Sequence, residues 1–296
     1  MALKIGFIGS GIMGRPMALN LMKGGHKLWV YARRAEALQP LIAAGAIACT
    51  SPAQVAEQAD VIFTIVSDTP DVEQVIFGDK GIVNGVRAGA IIVDMSTISP
   101  AATVAFAQRL AALGIDMLDA PVSGGESGAI NAALSIMVGG KAEVFERIRP
   151  LFACMGKNIV HIGGNGAGQV AKACNQIVVS VTIEAVAEAL TFARKNNVDP
   201  ARVREALLGG SAGSKILEVH GKRMLENNFT PGFKIGLHRK DMRIVMEAAQ
   251  QSGAAVPAAA LVSQHLNSMV GPGESELDSS AVVKVLERLS GISGKW

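Results

Sequence analysis

Short apolar runs recur through the first half of the chain and predict β-strands. Several are apolar at consecutive positions, as strands buried on both faces of a parallel sheet are. They cover residues 4–8, 27–31, 61–66, 90–94, 117–119, 134–138 and 159–162. Between many of them lie segments with helical spacing, including 15–23, 52–58 and 100–113. This alternation of strands and helices favours an α/β fold with a doubly wound parallel sheet.

The pattern changes after Gly168. Residues 169–195 contain neither Gly nor Pro and predict one helix about 40 Å long, which is long enough to join two domains. Helical spacing continues at 201–208, 214–226, 237–251, 258–268 and 280–289, and no strand is expected there. We therefore predict an α/β domain at residues 1–163 and an all-helical domain at 164–296, joined by this long interdomain helix.

Composition narrows the class of protein. The chain has 296 residues, of which 49% are hydrophobic and 18% charged, and this excludes general disorder. A net charge of +3 without a basic run gives no indication of nucleic-acid binding. Three scattered cysteines are typical of a reducing cytoplasm, and no metal-ligand motif is evident. Because no uncharged apolar stretch reaches about 18 residues, we expect no membrane span.

The glycines near the N-terminus predict a nucleotide site. Gly9, Gly11 and Gly14 have GxGxxG spacing, directly after the first predicted strand and before the first helix. In dinucleotide folds the first glycine makes the turn, the second lets the backbone approach the pyrophosphate, and the third lets helix and strand pack closely. The helix N-terminus then offers free N–H groups to phosphate. A glycine-rich turn without a ligand is the alternative, but the context favours a Rossmann-type domain.

The end of the second strand bears on cofactor preference. A carboxylate there would bind the ribose hydroxyls of NAD. Here Arg33 and Arg34 follow the strand, and no carboxylate occurs before Glu36. Guanidinium groups suit the 2′-phosphate of NADP, although two solvated surface arginines would have the same sequence. The pattern favours NADPH and leaves NADH open.

The start of the long helix carries a candidate catalytic group. Gly168, Lys172 and Asn175 are spaced i, i+4 and i+7, so they lie along one face of the helix. Lys172 stands among apolar residues, where a buried ammonium is costly without a partner or a role. The alternative is a lysine whose head reaches solvent from a half-buried helix.

Two loops after strands, and one charge pair, supply further candidates. Ser123, with Gly124 and Gly125, offers a hydroxyl and convergent backbone N–H groups that suit a carboxylate. Thr97 follows another strand, where it would either meet the cofactor or cap a helix. Lys240 precedes an aspartate in a later helix and is also consistent with a surface charge pair.

Taken together, these motifs resemble the β-hydroxyacid dehydrogenase family along nearly the whole chain. The matching stretches, in family order, are GFIGSGIMGRPMALNL, DMSTISP, DAPVSGG, GGNGAGQVAKACNQ and HRKDM. The resemblance implies an NAD(P)-dependent homodimer or homotetramer that interconverts a small aldehyde acid and its hydroxy acid. DAPVSGGESGA, LSIMVGG, SKILEVHGKRM and TPGFKIGLHRKDM are most similar to the members that reduce tartronate semialdehyde. Activity on 3-hydroxyisobutyrate, succinic semialdehyde or glyoxylic semialdehyde is the alternative.

The resemblance also implies residue roles. Lys172 would be catalytic, with Asn175 orienting the lysine or the substrate. The substrate carboxylate would lie at Ser123, Gly124 and Gly125, and Phe233 would help to close the pocket. The cofactor would contact Gly9, Gly11, Ile12, Met13, Gly14, Val66, Thr97 and Lys240. Ala32 stands where an NAD-preferring member carries Asp, and this leaves the cofactor preference open.

Other classes of protein fit the sequence less well. An imine-reducing enzyme of the same fold generally lacks the lysine that is present here. A non-catalytic nucleotide-binding regulator would be expected to have lost Lys172 or the glycine turn. A 6-phosphogluconate-type enzyme would need a larger helical half. Semialdehydes that differ by one methyl or hydroxyl are separated by only about 1–3 kcal/mol in an apolar pocket, so single residues decide the substrate.

Overall fold

The computed structural model describes residues 3–292. The chain divides into two compact units, Met1–Lys172 and Ala173–Trp296. The division falls inside the long helix and beyond residue 163, because the first turn of that helix is bonded to strands of the first unit. Gly166 N and Gln169 N both donate to the carboxylate of Asp119. The predicted assignment of separate roles to the two parts of the chain stays a prediction.

The first unit contains one twisted sheet of nine strands within the described residues. The strand order is β3-β2-β1-β4-β5-β6-β8-β7, with β9 paired to β8. Strands β1 to β6 are parallel, whereas β8 runs antiparallel to β6 and β7. The strands are β1 Ile5–Ile8, β2 Leu28–Tyr31, β3 Ile47–Ala48, β4 Val61–Thr64, β5 Ile91–Asp94, β6 Asp116–Asp119, β7 Val122–Ser123, β8 Leu134–Gly139 and β9 Gly156–Gly163.

Both faces of the sheet are buried, which confirms the prediction of a doubly wound α/β fold. Strands β1, β4 and β5 are buried at every position. Alternate residues enter two hydrophobic clusters: Phe7 and Phe63 belong to one, and Ile8 and Ile62 to the other. Side chains alternate across a strand, so each cluster packs against one layer of helices.

The helices of the first unit begin where the sequence supplies capping groups. The Ser51 hydroxyl accepts from Gln54 N at the start of α3, and Ser99 accepts from Ala102 N at the start of α5. Proline follows both caps in the first turn, where its missing N–H costs nothing. The helices are α1 Gly14–Lys23, α2 Gln39–Ala43, α3 Pro52–Gln58, α4 Thr69–Phe77, α5 Pro100–Ala111, α6 Gly125–Ile130 and α7 Ala142–Ala153.

The long predicted helix is α8, Ala167–Lys195, and it continues from the first unit into the second. The described part of the second unit otherwise contains α9 Pro200–Leu208, α10 Lys215–Leu225, α11 Ile235–Ser252, α12 Pro257–Ser268 and α13 Val283–Leu289. Asp278 caps the turn before α13 by accepting a hydrogen bond from Ser280 N. No strand forms within its described residues, apart from an isolated bridge between Lys234 and Asp278.

A row of buried polar residues runs along α8 within the second unit. Gln176, Ser180 and Glu184 recur every fourth residue and are each at most 4% exposed. We call these three residues the polar row. Each bonds to a side chain of α11 or α12: Gln176 to Asp241, Ser180 to His238 and Glu184 to His265. Burial raises the pKa of Glu184, and the His265 ring opposes that shift.

Helix α8 is also long and apolar enough to cross a membrane, judged by length and composition alone. Half of its most apolar 18-residue window is buried within the protein. A core helix of a soluble protein has the same properties, and Glu184 of this helix bonds to a neighbouring helix. The expectation of no membrane span stays a prediction.

Candidate active site

A cleft opens at the carboxyl ends of the first parallel strands. Its volume is about 600 Å³, and its lining includes Gly9, Gly11, Arg33, Arg34 and Val66. Strands β2 and β4 flank β1 on opposite sides, so the chain reverses its direction of winding here. Open α/β sheets bind ligands beyond the carboxyl ends of strands at this kind of reversal. Five of the residues predicted to bind the cofactor therefore share one cleft.

The three fingerprint glycines have distinct surroundings. A Cβ on Gly14 would lie 1.8 Å from Gly9 O, so helix α1 packs against the turn with no room for a side chain. Gly9 has φ +105°, and a Cβ there would lie 2.1 Å from Ile65 O. A Cβ on Gly11, by contrast, would meet nothing within 4 Å. Gly9 and Gly14 are thus required by the fold, whereas the bare backbone of Gly11 faces open space in the cleft.

This loop fits the pyrophosphate of a dinucleotide. Helix α1 begins at Gly14, and no side chain caps it. Arg15 N and Met17 N donate to Gly11 O and Met13 O, and Pro16 has no N–H. Within the described residues the Gly14 N–H has no backbone acceptor, so it is suited to bind an anion at the start of the helix. Ser10 is 6% exposed and lines the cleft, and its hydroxyl has no hydrogen-bond partner among the described residues. Such a buried hydroxyl is suited to a ligand.

The far end of the cleft contains more charge than the sequence indicated. Arg33 Nη1 lies 3.1 Å from Asp71 Oδ1, and its side chain is 78% exposed. Asp71 and Lys80 line the same cleft as Arg33 and Arg34. The sequence at the end of β2 could not reveal the ion pair between Arg33 and Asp71, because Asp71 belongs to α4. Three cations and two carboxylates, Asp71 and Asp79, therefore line the part of the cleft expected for the adenosine ribose.

A buried network lies behind the loop that carries Thr97. Asp94, at the end of β5, accepts from Thr64 Oγ1 at 2.8 Å and from Ser96 Oγ at 2.6 Å. Ser96 Oγ in turn accepts from Val66 N at 2.9 Å. Complete burial raises the pKa of Asp94 to about 6, even though these hydrogen bonds lower it. The network fixes the cleft residue Val66 to the segment that contains half-buried Thr97.

Asp119 anchors the start of α8. Its two carboxylate oxygens accept from Gly166 N at 2.8 Å and from Gln169 N at 3.0 Å. Burial raises the pKa of Asp119, and these backbone hydrogen bonds oppose the rise. Gly168 approaches so closely that an added Cβ would lie 2.4 Å from Met137 O. The helix that carries Lys172 thus begins at a fixed position on the sheet.

Helix α8 places the predicted catalytic residues on one face. Lys172 is only 8% exposed, so most of its side chain is buried. Asn175 follows by three residues in the same helix, which brings the two side chains to neighbouring positions. Asn175 Oδ1 is buried and has no hydrogen-bond partner within residues 3–292. A buried carbonyl oxygen without a partner normally costs about 1–3 kcal/mol, so its presence favours a ligand-facing role.

The predicted carboxylate loop follows β6. Ser123 lies in β7 and is half-buried, whereas Gly124 and Gly125 are exposed. Both glycines have positive φ, +131° and +61°, a region that favours glycine. Helix α6 begins at Gly125, so the loop turns immediately after the serine. None of the three lines the cleft described above.

Lys240 is held in a buried cluster of the second unit. Its Nζ lies 2.7 Å from Asp241 Oδ1, and Gln176 Nε2 donates to Asp241 Oδ2 at 2.7 Å. The side chains of Lys240 and Asp241 are 15% and 5% exposed, so the surface charge pair suggested by the sequence is wrong. The ring of Phe233 lies 5.6 Å from that of His238 in the same unit.

Some predicted contacts lie outside the cleft, and some site residues were missed. Ile12 and Met13 are not among the residues that line the cleft; the side chain of Ile12 is exposed, and Met13 packs partly against the core. Gln169 received no predicted role, yet its backbone N–H and its side-chain amide make three buried hydrogen bonds. The only feature of the sequence that could have identified Gln169 is its place, as a polar residue, one turn before Lys172.

These features define a dinucleotide-dependent oxidoreductase, and the chain belongs to the β-hydroxyacid dehydrogenase family. Residues 4–163 match the family model for the NAD-binding domain of 6-phosphogluconate dehydrogenase. Residues 166–286 match the model for the NAD-binding region of NADP-dependent 3-hydroxyisobutyrate dehydrogenase. The protein is therefore an NAD(P)-dependent β-hydroxyacid dehydrogenase. Within the described residues no group of three or more His, Cys, Asp or Glu side chains could hold a metal ion.

Individual relatives agree with this assignment. The chain is 50% identical to 2-hydroxy-3-oxopropionate reductase of Escherichia coli K12, over 97% of this chain and 98% of the relative. It is 37% identical to 3-hydroxyisobutyrate dehydrogenase of Pseudomonas aeruginosa, over 95% of this chain and 97% of the relative. The structure of Mycobacterium tuberculosis 3-hydroxyisobutyrate dehydrogenase with L-serine superposes with a TM-score of 0.88 at 31% identity, covering 97% of this chain and 99% of that one.

Proposed function

We propose that this protein reduces tartronate semialdehyde to D-glycerate with a reduced nicotinamide cofactor. The 50% identity to the E. coli 2-hydroxy-3-oxopropionate reductase along nearly the full length of both chains favours this substrate. Relatives named for 3-hydroxyisobutyrate make methylmalonate semialdehyde the second candidate. Succinic and glyoxylic semialdehydes are further alternatives. Residues 1–163 would bind the dinucleotide, and residues 164–296 would bind substrate and mediate self-association.

Lys172 would act as the general acid. The bound cofactor supplies a hydride to the carbonyl carbon, so negative charge develops on the carbonyl oxygen. The Lys172 ammonium would stabilise that charge and donate a proton to the oxygen; in the reverse direction the neutral amine would accept it. Asn175 would orient the substrate or the lysine. The observation that carries this assignment most strongly is the buried, unpartnered Oδ1 of Asn175, next to Lys172 on one helix face.

The substrate carboxylate would be held by Ser123 and the backbone N–H groups of Gly124 and Gly125. The positive φ values of the two glycines support this role, because successive N–H groups converge in such conformations. Fixing the carboxylate would place the reacting carbonyl, and proximity of this kind supplies a large part of catalysis. Phe233 would help to exclude water.

The cofactor would bind along the cleft. Gly9, Gly11 and Gly14, with Ile12 and Met13, would receive the pyrophosphate, and Val66 and Thr97 would lie towards the nicotinamide. Arg33 and Arg34 favour NADPH, and NADH is the alternative. Lys240, fixed by Asp241, would complete the site. The enzyme would be a cytoplasmic homodimer or homotetramer.

The catalytic role of Lys172 can be tested by substitution. Lys172→Ala should lower kcat by at least ~10²-fold, because general acid–base catalysis typically contributes 10²–10⁴-fold. NADP⁺ binding, measured by calorimetry, should be unchanged. Lys195→Ala is the matched control, because Lys195 ends the same helix and its Nζ donates only to Ser290 O in the described contacts. A Lys172→Ala enzyme with near-wild-type kcat would remove Lys172 from the mechanism.

The identity of the substrate can be tested by measuring the oxidation of the reduced cofactor. Tartronate, methylmalonate and succinate semialdehydes should be compared by kcat/KM, each with NADPH and with NADH. We expect the highest value for tartronate semialdehyde with NADPH. If tartronate semialdehyde is the poorest of the three substrates, the proposed activity is wrong.

A further inference from the structure

Gln169 is the residue through which the start of α8 is bonded to the Thr97 loop. Its side chain is 1% exposed and lies in the first unit. Ile98 N donates to its Oε1 at 3.1 Å, and its Nε2 donates to Ser96 O at 2.8 Å. The amide therefore bonds to the main chain on both sides of Thr97.

The geometry allows only one orientation of this amide. An N–H faces its oxygen and a carbonyl faces its nitrogen, so rotation by 180° would break both bonds and oppose like groups. Its own backbone N–H donates to Asp119, which fixes the position of the residue on the sheet. Both polar atoms of the side chain are thus bonded to the main chain, and the residue is only 1% exposed.

We propose that Gln169 is a positioning residue that fixes the main chain around Thr97 relative to the helix turn that precedes Lys172. The inference deepens the proposed function, because it rests on Thr97 lying towards the nicotinamide. Three observations support it: both hydrogen bonds lie in the buried interior, they span more than seventy residues of sequence, and they end on the two neighbours of one site residue. Buried hydrogen bonds of this kind hold a loop in one conformation before the ligand arrives.

If Gln169 positions the Thr97 loop, its substitution should weaken binding at the nicotinamide end of the cofactor only. Within the described residues, no hydrogen bond or ion pair joins Gln169 to the fingerprint glycines or to the arginines, which would receive the pyrophosphate and adenosine. The nicotinamide end would depend on the Thr97 loop. Gln169→Met keeps the length of the side chain and fills the same space, but it removes both hydrogen bonds.

The test compares two ligands by calorimetry, NADP⁺ and its fragment 2′,5′-ADP, or NAD⁺ and ADP if the wild-type protein prefers NAD⁺. In Gln169→Met, the dinucleotide should bind about tenfold more weakly, as the loss of ordinary hydrogen bonds at the nicotinamide end implies. The fragment should bind as it does to the wild type. Glu184→Ala is the matched control, since it breaks a buried bond of the same helix more than three turns from Lys172. Its dinucleotide affinity should not change.

Two results would overturn the inference. If dinucleotide and fragment weaken by the same factor, Gln169 supports the unit as a whole and does not position the Thr97 loop. If neither weakens, its hydrogen bonds have no bearing on the cofactor. Should Gln169→Met fail to fold, Gln169→Asn keeps the amide but is too short for both bonds, and the same difference between ligands is expected. Neither measurement involves turnover, so failure of Lys172 as the acid would not alter this result.

Discussion

The fingerprint glycines offer a sharp test, because the fold requires Gly14 and not Gly11. In Gly14→Ala the new methyl would lie 1.8 Å from Gly9 O and 2.7 Å from Ile65 Cγ2, where an ordinary van der Waals contact is at least 3.4 Å. The first of these atoms belongs to the backbone, so no rotamer change can relieve the contact. Overpacking typically costs about 1–3 kcal/mol, and a backbone contact this short places the cost at about 3 kcal/mol or more.

Gly11→Ala should behave in the opposite way. No atom lies within 4 Å of the added methyl, so stability should remain within about 0.5 kcal/mol of the wild type. The methyl would occupy the space expected for the pyrophosphate. We therefore expect KM for the cofactor to rise at least ~10-fold, with kcat at saturation changed much less.

Thermal unfolding and steady-state kinetics on the two variants measure both effects. For a unit of this size, about 3 kcal/mol corresponds to a Tm lower by about 6–12 °C in Gly14→Ala. Gly11→Ala should melt with the wild type and differ only in its kinetics. Equal Tm losses in both variants would refute the assignment of separate roles to the two glycines, as would unchanged cofactor affinity in Gly11→Ala.

Three further predictions concern carboxylates of the first unit. Asp119→Ala leaves two buried N–H groups without an acceptor and should lower the free energy of unfolding by about 2–6 kcal/mol in urea titrations; a loss below about 1 kcal/mol would contradict this. Burial raises the pKa of Asp94 to about 6, so the native state binds this proton more tightly than the unfolded chain does. The stability that the bound proton contributes is therefore lost as the pH rises from about 4 to 6. Asp94→Asn cannot ionise, so its unfolding free energy relative to the wild type should increase by about 2 kcal/mol from pH 4 to pH 7; a constant difference would show that Asp94 does not titrate in this range. Asp71→Asn should release Arg33 from an exposed ion pair worth at most about 1 kcal/mol, so Tm should not change. The KM for NADPH should fall several-fold relative to the KM for NADH. An unchanged ratio of the two KM values would exclude Asp71 from cofactor selection.

The elements that the sequence predicted are those whose signals are local. The run at 61–66 is apolar at consecutive positions, and β4 is buried throughout, as a central parallel strand must be. Pro52 and Pro100 follow serines that cap α3 and α5, so local chemistry sets both helix starts. The spacing of Gly9, Gly11 and Gly14 likewise predicted a tight turn, and Gly9 has a positive φ in the structure.

The features that were missed depend on partners distant in sequence. Strands β3 and β7 are each two residues long, and only pairing with a neighbouring strand defines them. The Asp71 carboxylate meets Arg33 across 38 residues, and Gln169 reaches Ser96 across 73. Neither contact leaves a periodic signal, because a single polar residue in a helix has the same local pattern whether it is solvated or bonded.

The polar row on α8 limits how this helix can be altered. Turning the helix by one residue about its axis would rotate all three side chains by about 100° away from their acceptors and donors on α11 and α12. Each stranded buried group would cost about 1–3 kcal/mol, so the three bonds together select one rotational setting. A substitution in the polar row would therefore disturb the packing of the second unit as a whole, and libraries that aim to change the substrate preference should keep these three positions constant and vary the loops instead.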